Sequence, residues 1–363
     1  MRIYHYILLA AVLLLGACGS EKEPQFPAGD DAVCDLVISL KTGEMRKSDT
    51  RADHIWDNDT HPEDPVSFES EIDHVQMYFV APGNRMVPLV SEKTGESEGI
   101  HTYKVTVNLG ADYVTSTGPG IHYISGRIIA VANHPENIGL MSPFSIPSFD
   151  VTSVDEKRLI PMWGLASISG VRLIVNGTVD DVCTIELLRS VPKITIEMNE
   201  EEGFGNYRIL KVEPDDGGYN RRAYCHPSGG EDVVSTGNLL TEGCFNPCDV
   251  LKLNSFSPVC HGLDPTEGST CVMFYLAERT LDETVQEPLS FTVTVAREDD
   301  LEHPFTGKVY LCDYENGQPV KDTAFRQLVR NHDYRFRISI SELLFKVYVE
   351  KWVYGGKVHI ELE

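Results

Sequence analysis

The sequence has no cluster of basic residues, no second long apolar run and little helical periodicity, and each shortage closes a class of function. It carries 31 Lys and Arg against 55 Asp and Glu, a formal net charge of −24. Phosphate binding depends on neutralisation by Lys and Arg, so nucleic acid is not expected as a partner. An acidic surface of this kind keeps an exported protein soluble. After the first apolar stretch, no run reaches the ~18 residues that a membrane-spanning helix requires. No G-x-S-x-G, phosphate loop, H-E-x-x-H or dinucleotide fingerprint occurs. The chain is therefore expected to be neither an enzyme nor the holder of a cofactor. No internal repeat is evident.

What is present begins at the N-terminus. Arg2 forms a short positive region, and residues 7–15 form an apolar stretch too short to span a bilayer. Leu15-Gly16-Ala17-Cys18 then places small residues before a cysteine, the pattern of a lipobox. Residues 1–17 read as a lipoprotein signal peptide, Cys18 as the lipid acceptor, and residues 18–30 as a flexible tether with Pro24, Pro27 and Gly29. The expected address is the far side of the inner membrane, with lipid as the only membrane anchor.

The nine cysteines include Cys18. Cys244 and Cys248 form one close pair, with Cys260, Cys271, His226 and His261 nearby in sequence. Structural zinc prefers a second matching pair, which is missing, so no metal is assigned. A loop disulfide or free thiols remain open. Asp57, Asp59, Glu63 and Asp64 give an oxygen-rich segment without the glycine and glutamate spacing of a calcium loop, and it reads as solvated.

The dominant period is two. Residues 32–40, 75–79, 101–109, 171–175, 289–295 and 334–340 alternate apolar and polar side chains, each a half-buried strand. Residues 121–132 are more continuously apolar and suit a central strand. Pro82-Gly83-Asn84, Asn176-Gly177 and Asn316-Gly317 supply turns. Residues 323–330 are the best short helix candidate. The pattern predicts an all-β protein of two tandem β-sandwich domains, at about 31–165 and 166–363. Near the C-terminus, Leu343, Phe345, Val347 and Val349 alternate, and so do Val358, Ile360 and Leu362. These strands close the second sandwich or serve as a donor appendage offered to another subunit's sheet edge.

Several segments together resemble the type V pilus (fimbrillin) subunit family of Bacteroidetes. They are the lipobox at Cys18, the strand at 32–40, the approach Glu71-Ile72-Asp73-His74-Val75-Gln76-Met77-Tyr78-Phe79, and Ile160-Pro161-Met162-Trp163-Gly164. To these add Glu186-Leu187-Leu188-Arg189-Ser190-Val191-Pro192-Lys193-Ile194, similar to the family's "LLRxxAKI" with proline for alanine, and Leu328-Val329-Arg330-Asn331-His332-Asp333-Tyr334-Arg335-Phe336, similar to "lRNHxYxf". The resemblance implies transthyretin-like sandwiches in a stalk, tip or anchor subunit that reaches the outer membrane or cell surface as a lipoprotein. It also implies assembly with other fimbrial subunits, its own kind or paralogous, by donor-strand exchange, and contact with host or bacterial surface ligands. In stalk members a trypsin-like protease cuts after an arginine in the first loop. Here that is Arg51-Ala52, with Arg46 as the alternative, whereas anchor members stay uncut. Within the Arg330–Tyr334 stretch, His332 and Asp333 are expected to serve a turn and Asn331 a local backbone hydrogen bond. The alternative to a fimbrial subunit is a lipid-anchored glycan-binding protein, which would display exposed aromatic platforms; Trp56, Trp163 and Trp352 are too scattered in sequence to show one.

Overall fold

The computed structural model describes residues 32–42, 68–97, 99–138, 148–198, 206–215, 222–226, 259–280, 288–315, 318–321, 327–328, 330–341 and 344–351. They are almost entirely β-structure. The first sheet contains β1 (Val33–Thr42), β2 (Val75–Ala81), β3 (Arg85–Ser97), β4 (Ile100–Asn108), β5 (Val114–Gly118), β6 (Ile121–Ala132), β8 (Met162–Leu173) and β9 (Thr178–Arg189). Their order is β2-β3-β4-β1-β9-β8-β6-β5, and a further β2–β6 pairing closes the row on itself.

Two corners turn this closed sheet into a sandwich. Strand β3 pairs with β2 through Arg85–Leu89 and then with β4 from Val90 onward. Strand β9 runs beside β1 and reaches β8 only at Leu188 and Arg189. Alternation decides which side chains fill the space between the faces. Leu36, Ile38, Leu40, Met77, Phe79, Val105, Ile128, Ile185 and Leu187 meet in one apolar cluster. Turn chemistry sits where the sequence places it: Gly83 (φ 77°) and Asn84 (φ 60°) turn β2 into β3, and Asn176 (φ 52°) lies between β8 and β9.

The outer face of β2, β6 and β8 is apolar as well. Tyr78, Val80, Ile129, Val131, Trp163 and Leu165 join a second cluster that runs on into the rest of the chain. That part holds a four-stranded sheet, β13 (Cys271–Tyr275), β10 (Lys193–Met198), β20 (Asp333–Ser341) and β21 (Leu344–Lys351), in the order β13-β10-β20-β21. A three-stranded sheet of β11 (Tyr207–Pro214), β15 (Ser290–Arg297) and β16 (Asp300–Tyr310) shares its core, with the Phe274 and Phe291 rings 4.9 Å apart. Short pairs complete the fold: β14 (Arg279–Thr280) with β19 (Gln327–Leu328), and β17 (Asp313–Glu315) with β18 (Gln318–Val320). Strand β7 (Ser148–Asp150), which precedes the short helix α1 (Thr152–Lys157), pairs with β12 (Arg222–Tyr224) and ties the two halves together.

Two expectations change. The boundary near 165 falls inside β8, and β8 and β9 both belong to the first sheet, so the change of sheet comes at residues 190–192. The reason is that 171–175 is the far end of one long strand rather than the start of a new series. The helix expected over 323–330 gives way, where described, to strand at Gln327–Leu328 and a turn at Arg330. The helix that does form, α1, is too short to show a period.

Gly164 marks the β8–β9 corner. A Cβ there would lie 2.6 Å from the Glu186 carbonyl oxygen and 2.6 Å from Ile185 Cγ2. Backbone cannot swing aside, so Gly164→Ala should cost about 1–3 kcal/mol as overpacking, measured by urea denaturation. Gly170→Ala (φ 61°), with nothing within 4 Å of its Cβ position, should show only backbone strain.

Candidate functional site

Strand β1 lies inside the closed sheet, antiparallel to β4 and parallel to β9. Its inward row is Cys34, Leu36, Ile38, Leu40 and Thr42, all buried, while Val33, Asp35, Val37, Ser39 and Lys41 are half-buried on the other face. Full burial of a Leu or Ile side chain contributes about 1.5–3 kcal/mol, so Leu36, Ile38 and Leu40 together hold the strand by roughly 5–9 kcal/mol.

The leading end of β1 is clasped by backbone. The Leu109 amide donates to the Ala32 carbonyl at 2.8 Å, Asn176 N–H to Val33 O at 2.7 Å, and Asp35 N–H to Gly177 O at 2.9 Å. The Ile174 amide donates to Cys34 Sγ at 3.3 Å. On the outer face the Asp35 carboxylate accepts from Thr106 Oγ1 at 2.8 Å and lies 3.5 Å from Lys104 Nζ.

The chain leaves β1 at Thr42 and reaches β2 by way of Phe68. There it is anchored to the other half of the molecule. The Phe68 ring packs edge-on against His261 at 5.4 Å and against Tyr275 at 6.0 Å. Glu69 accepts from Tyr275 Oη at 2.7 Å and pairs with Lys193 Nζ at 2.8 Å, while its carbonyl accepts from Arg189 Nε at 2.8 Å.

Behind this anchor lies a buried polar row, set by parallel pairing of β10 and β20 that aligns Lys193 with Asp333, Thr195 with Arg335 and Glu197 with Arg337. Asp333 accepts from Thr195 Oγ1 at 2.7 Å and lies 3.2 Å from Arg335 Nε and 3.6 Å from Lys193 Nζ. Burial pushes the Asp333 carboxyl up, and Lys193 and Arg335 pull against that shift. Glu197 binds Arg337 Nε.

The "lRNHxYxf"-like segment is also tied into the interior. Arg330 binds Glu278 and the carbonyls of Tyr224 and Cys225. His332 Nδ1 meets the Arg330 carbonyl at 2.8 Å, a turn contact as expected. Asn331 departs from expectation. Its side-chain oxygen accepts from Arg189 Nη1 at 3.1 Å, joining the end of β9 to the start of β20 instead of serving its own turn. Asp333 likewise opens β20 and serves the buried row rather than the turn.

Of the residues singled out in the sequence, Cys18, Arg46, Arg51, Ala52, Leu343, Val358, Ile360 and Leu362 lie outside the described residues. Phe345, Val347 and Val349 lie in β21, paired with Ile340, Ile338 and Phe336 of β20 within the same molecule. Trp163 is fully buried and offers no platform to a sugar. Trp56, Trp352, Cys244 and Cys248 are outside the described residues, as is the 57–64 segment. Among the described cysteines, Cys34, Cys183 and Cys225 are free thiols. Sequence reasoning missed the Glu69–Lys193–Asp333 cluster. Its one visible signal was a pair of alternating charged strands, Lys-x-Thr-x-Glu and Asp-x-Arg-x-Arg.

Two tests follow. Lys193→Met strands Glu69 and Asp333 in the interior and should cost about 3–5 kcal/mol, whereas Lys93→Met, at an exposed pair with Glu96, should change stability by less than about 0.5 kcal/mol. Urea titrations of both variants compare them directly. Burial also lowers His226 from its ordinary 6.5 to about 4, and lowers His101 and His332. A depressed histidine favours folding in its neutral form, so this stability is complete above pH 6.5 and is lost as the pH falls toward about 4. Denaturation between pH 7 and 4 should show the decline, and His226→Gln should flatten it.

No protein-family model matches the sequence, and no curated protein matches it. Solved structures do. The tip fimbrial protein Mfa3 from Porphyromonas gingivalis, solved with a C-terminal truncation, aligns at a TM-score of 0.52 and 14% identity, covering 88% of this chain and 99% of that one. A fimbrial assembly protein from Parabacteroides distasonis aligns over 89% of this chain and 99% of its own, at 13% identity and a TM-score of 0.45. At such identities the likeness is one of architecture, and it spans nearly the whole chain: the protein has the all-β fold seen in a Bacteroidetes fimbrial protein.

Proposed function

We propose that this protein is a non-enzymatic structural subunit of a type V-like fimbria, exported as a lipoprotein through Cys18 and joined to its neighbours by donor-strand exchange at the cell surface. The observation that carries the reading is the position of β1. It is the first strand among the described residues, it lies in the interior of a closed sheet, and its covalent path to β2 runs through residues 43–67, which contain Arg46 and Arg51. A cut in that stretch would leave β1 held by non-covalent contacts alone. Its departure would uncover the β4 and β9 edges together with the slots of Leu36, Ile38 and Leu40. An alternating strand from another subunit would restore both the hydrogen bonds and the burial. The anchor at Phe68 and Glu69 supports the same reading, because the new N-terminal segment would stay fastened after the cut. The likeness of fold to a fimbrial tip protein supports membership in such an assembly.

N-terminal sequencing of the protein taken from cell-surface filaments and from membranes tests this. The filament form is expected to begin at Ala52, or at Lys47 if Arg46 is used. A form found only in membranes and beginning at Cys18 would remove the stalk reading. Truncation after Ser341 provides a second test, expected to abolish filaments while the monomer still folds. Should the truncated monomer unfold instead, β21 belongs to the core and is not a donor.

A further inference from the structure

We propose that Lys193 and Asp333 join in an intramolecular amide bond, with Glu69 carrying the protons. The inference is independent of strand exchange, since none of the three residues lies in β1. Parallel pairing sets Lys193 opposite Asp333, and the Lys193 amide donates to the His332 carbonyl at 2.8 Å, so the two backbones are fixed side by side. The side chains then meet in the interior. Lys193 Nζ lies 3.6 Å from Asp333 Oδ2, and each side chain is 1% exposed. On its other side the same nitrogen lies 2.8 Å from Glu69 Oε1. An amine and an acid held in contact and in a fixed orientation react as if at an effective concentration of about 10⁵–10⁸ M.

An amine attacks a carboxylic acid, not a carboxylate, and the surroundings favour the acid. Burial pushes the Asp333 carboxyl up, and a buried ion pair becomes amine and acid by transfer of one proton. The carboxyl oxygens are also met by donors. Thr195 Oγ1 donates to Oδ1 at 2.7 Å, and Arg335 Nε lies 3.2 Å from Oδ2, where they would offset the negative charge that gathers as nitrogen adds to carbon. The Nζ lone pair forms the bond to Cγ. The Cγ–Oδ2 bond breaks with its electron pair on oxygen, and that oxygen leaves as water. Of the ammonium protons, one stays on the amide and the others leave on the water. Glu69 takes them from Nζ and passes them to the departing oxygen, ending as it began. Nothing is oxidised or reduced, and no co-reactant is needed.

Glu69 lies nearer to Nζ than Asp333 does, yet it fits the base rather than the acceptor. Its side chain keeps 14% exposure, and its Oε1 is already held by the Tyr275 hydroxyl at 2.7 Å. The bond would exchange two buried charges for one neutral amide. It would also tie β10 to β20 and close a covalent loop from residue 193 to residue 333. Such a loop constrains the unfolded chain as a disulfide does, and no reductant opens it.

Mass spectrometry of the purified full chain tests the inference. The unaltered protein is expected to be lighter by one water than a Lys193→Arg chain, after allowance for the substitution. Trypsin does not cut after an acylated lysine, so its digest should contain a branched peptide joining residues 190–208 to residues 331–335. Glu69→Gln keeps an acceptor for Tyr275 but cannot carry a proton, and should leave these peptides separate while near-ultraviolet circular dichroism shows the fold retained. Full mass and only linear peptides from the unaltered folded chain overturn the proposal. A branch to residues 52–85, which contain Glu69, overturns Asp333 as the acceptor. An undiminished branch in Glu69→Gln overturns the part given to Glu69. The unaltered protein decides the central point, so the test stands even if a variant fails to fold, and no outcome bears on strand exchange.

Discussion

A sheet that closes on itself leaves little edge to defend, here mainly at β5 and where β8 and β9 part, and most of this molecule follows from that constraint. Exposed strand edges invite pairing with other chains, and closure removes the hazard. Here closure is achieved with β1 in the interior of the row, between β4 and β9, rather than at its end. Taking away an end strand would move an edge by one place. Taking away β1 would create two facing edges at once, a strand's width apart, over an apolar floor lined by Val105, Val107 and Ile185. That geometry accepts one extended strand and little else. The same closure that keeps the intact subunit inert would make the opened one specific.

For a first strand to be separable, the rest of the molecule must hold without it. The buried polar row supplies that hold. Lys193 sits between Glu69, from the segment leading into β2, and Asp333, from the start of β20. Arg189, at the end of β9, reaches both the Glu69 carbonyl and Asn331. Buried ion pairs contribute modestly to net stability, yet losing one partner is costly, so they fix arrangement more than they add energy. In this chain they fix where β2 begins, where β9 ends and how the four-stranded sheet meets the first one. None of these contacts uses a residue of β1.

The strands were legible in the sequence because half-buried strands alternate, and β1, β4, β15 and β20 do so plainly. The continuous apolar run of β6 was legible as a central strand for the same reason: it pairs with β8 on one side and with β2 and β5 on the other. What alternation could not reveal was the environment of the polar row. Lys193, Thr195 and Glu197 on β10 look like a wet face, yet they are buried, because Asp333, Arg335 and Arg337 meet them in register. A period of two reports that a strand has two faces, not that the polar one is exposed. The domain boundary failed on similar grounds. Trp163-Gly164 ends no unit, since Gly164 packs against β9 at Ile185 and Glu186 and β8 then continues to Leu173.

Parallel pairing of β1 with β9 carries the last consequence. The parallel neighbour β9 lies far along the chain, and the residues that follow β1 lead instead to β2, by way of residues 43–67 and Phe68. While the connection is intact, β1 is presented to its slot at an effective concentration on the order of millimolar, so a strand from solution competes poorly. On the proposed reading, a cut after Arg46 or Arg51 changes none of the contacts of β1. It removes the tether, and with it the concentration advantage, so the occupant of the slot is decided by fit.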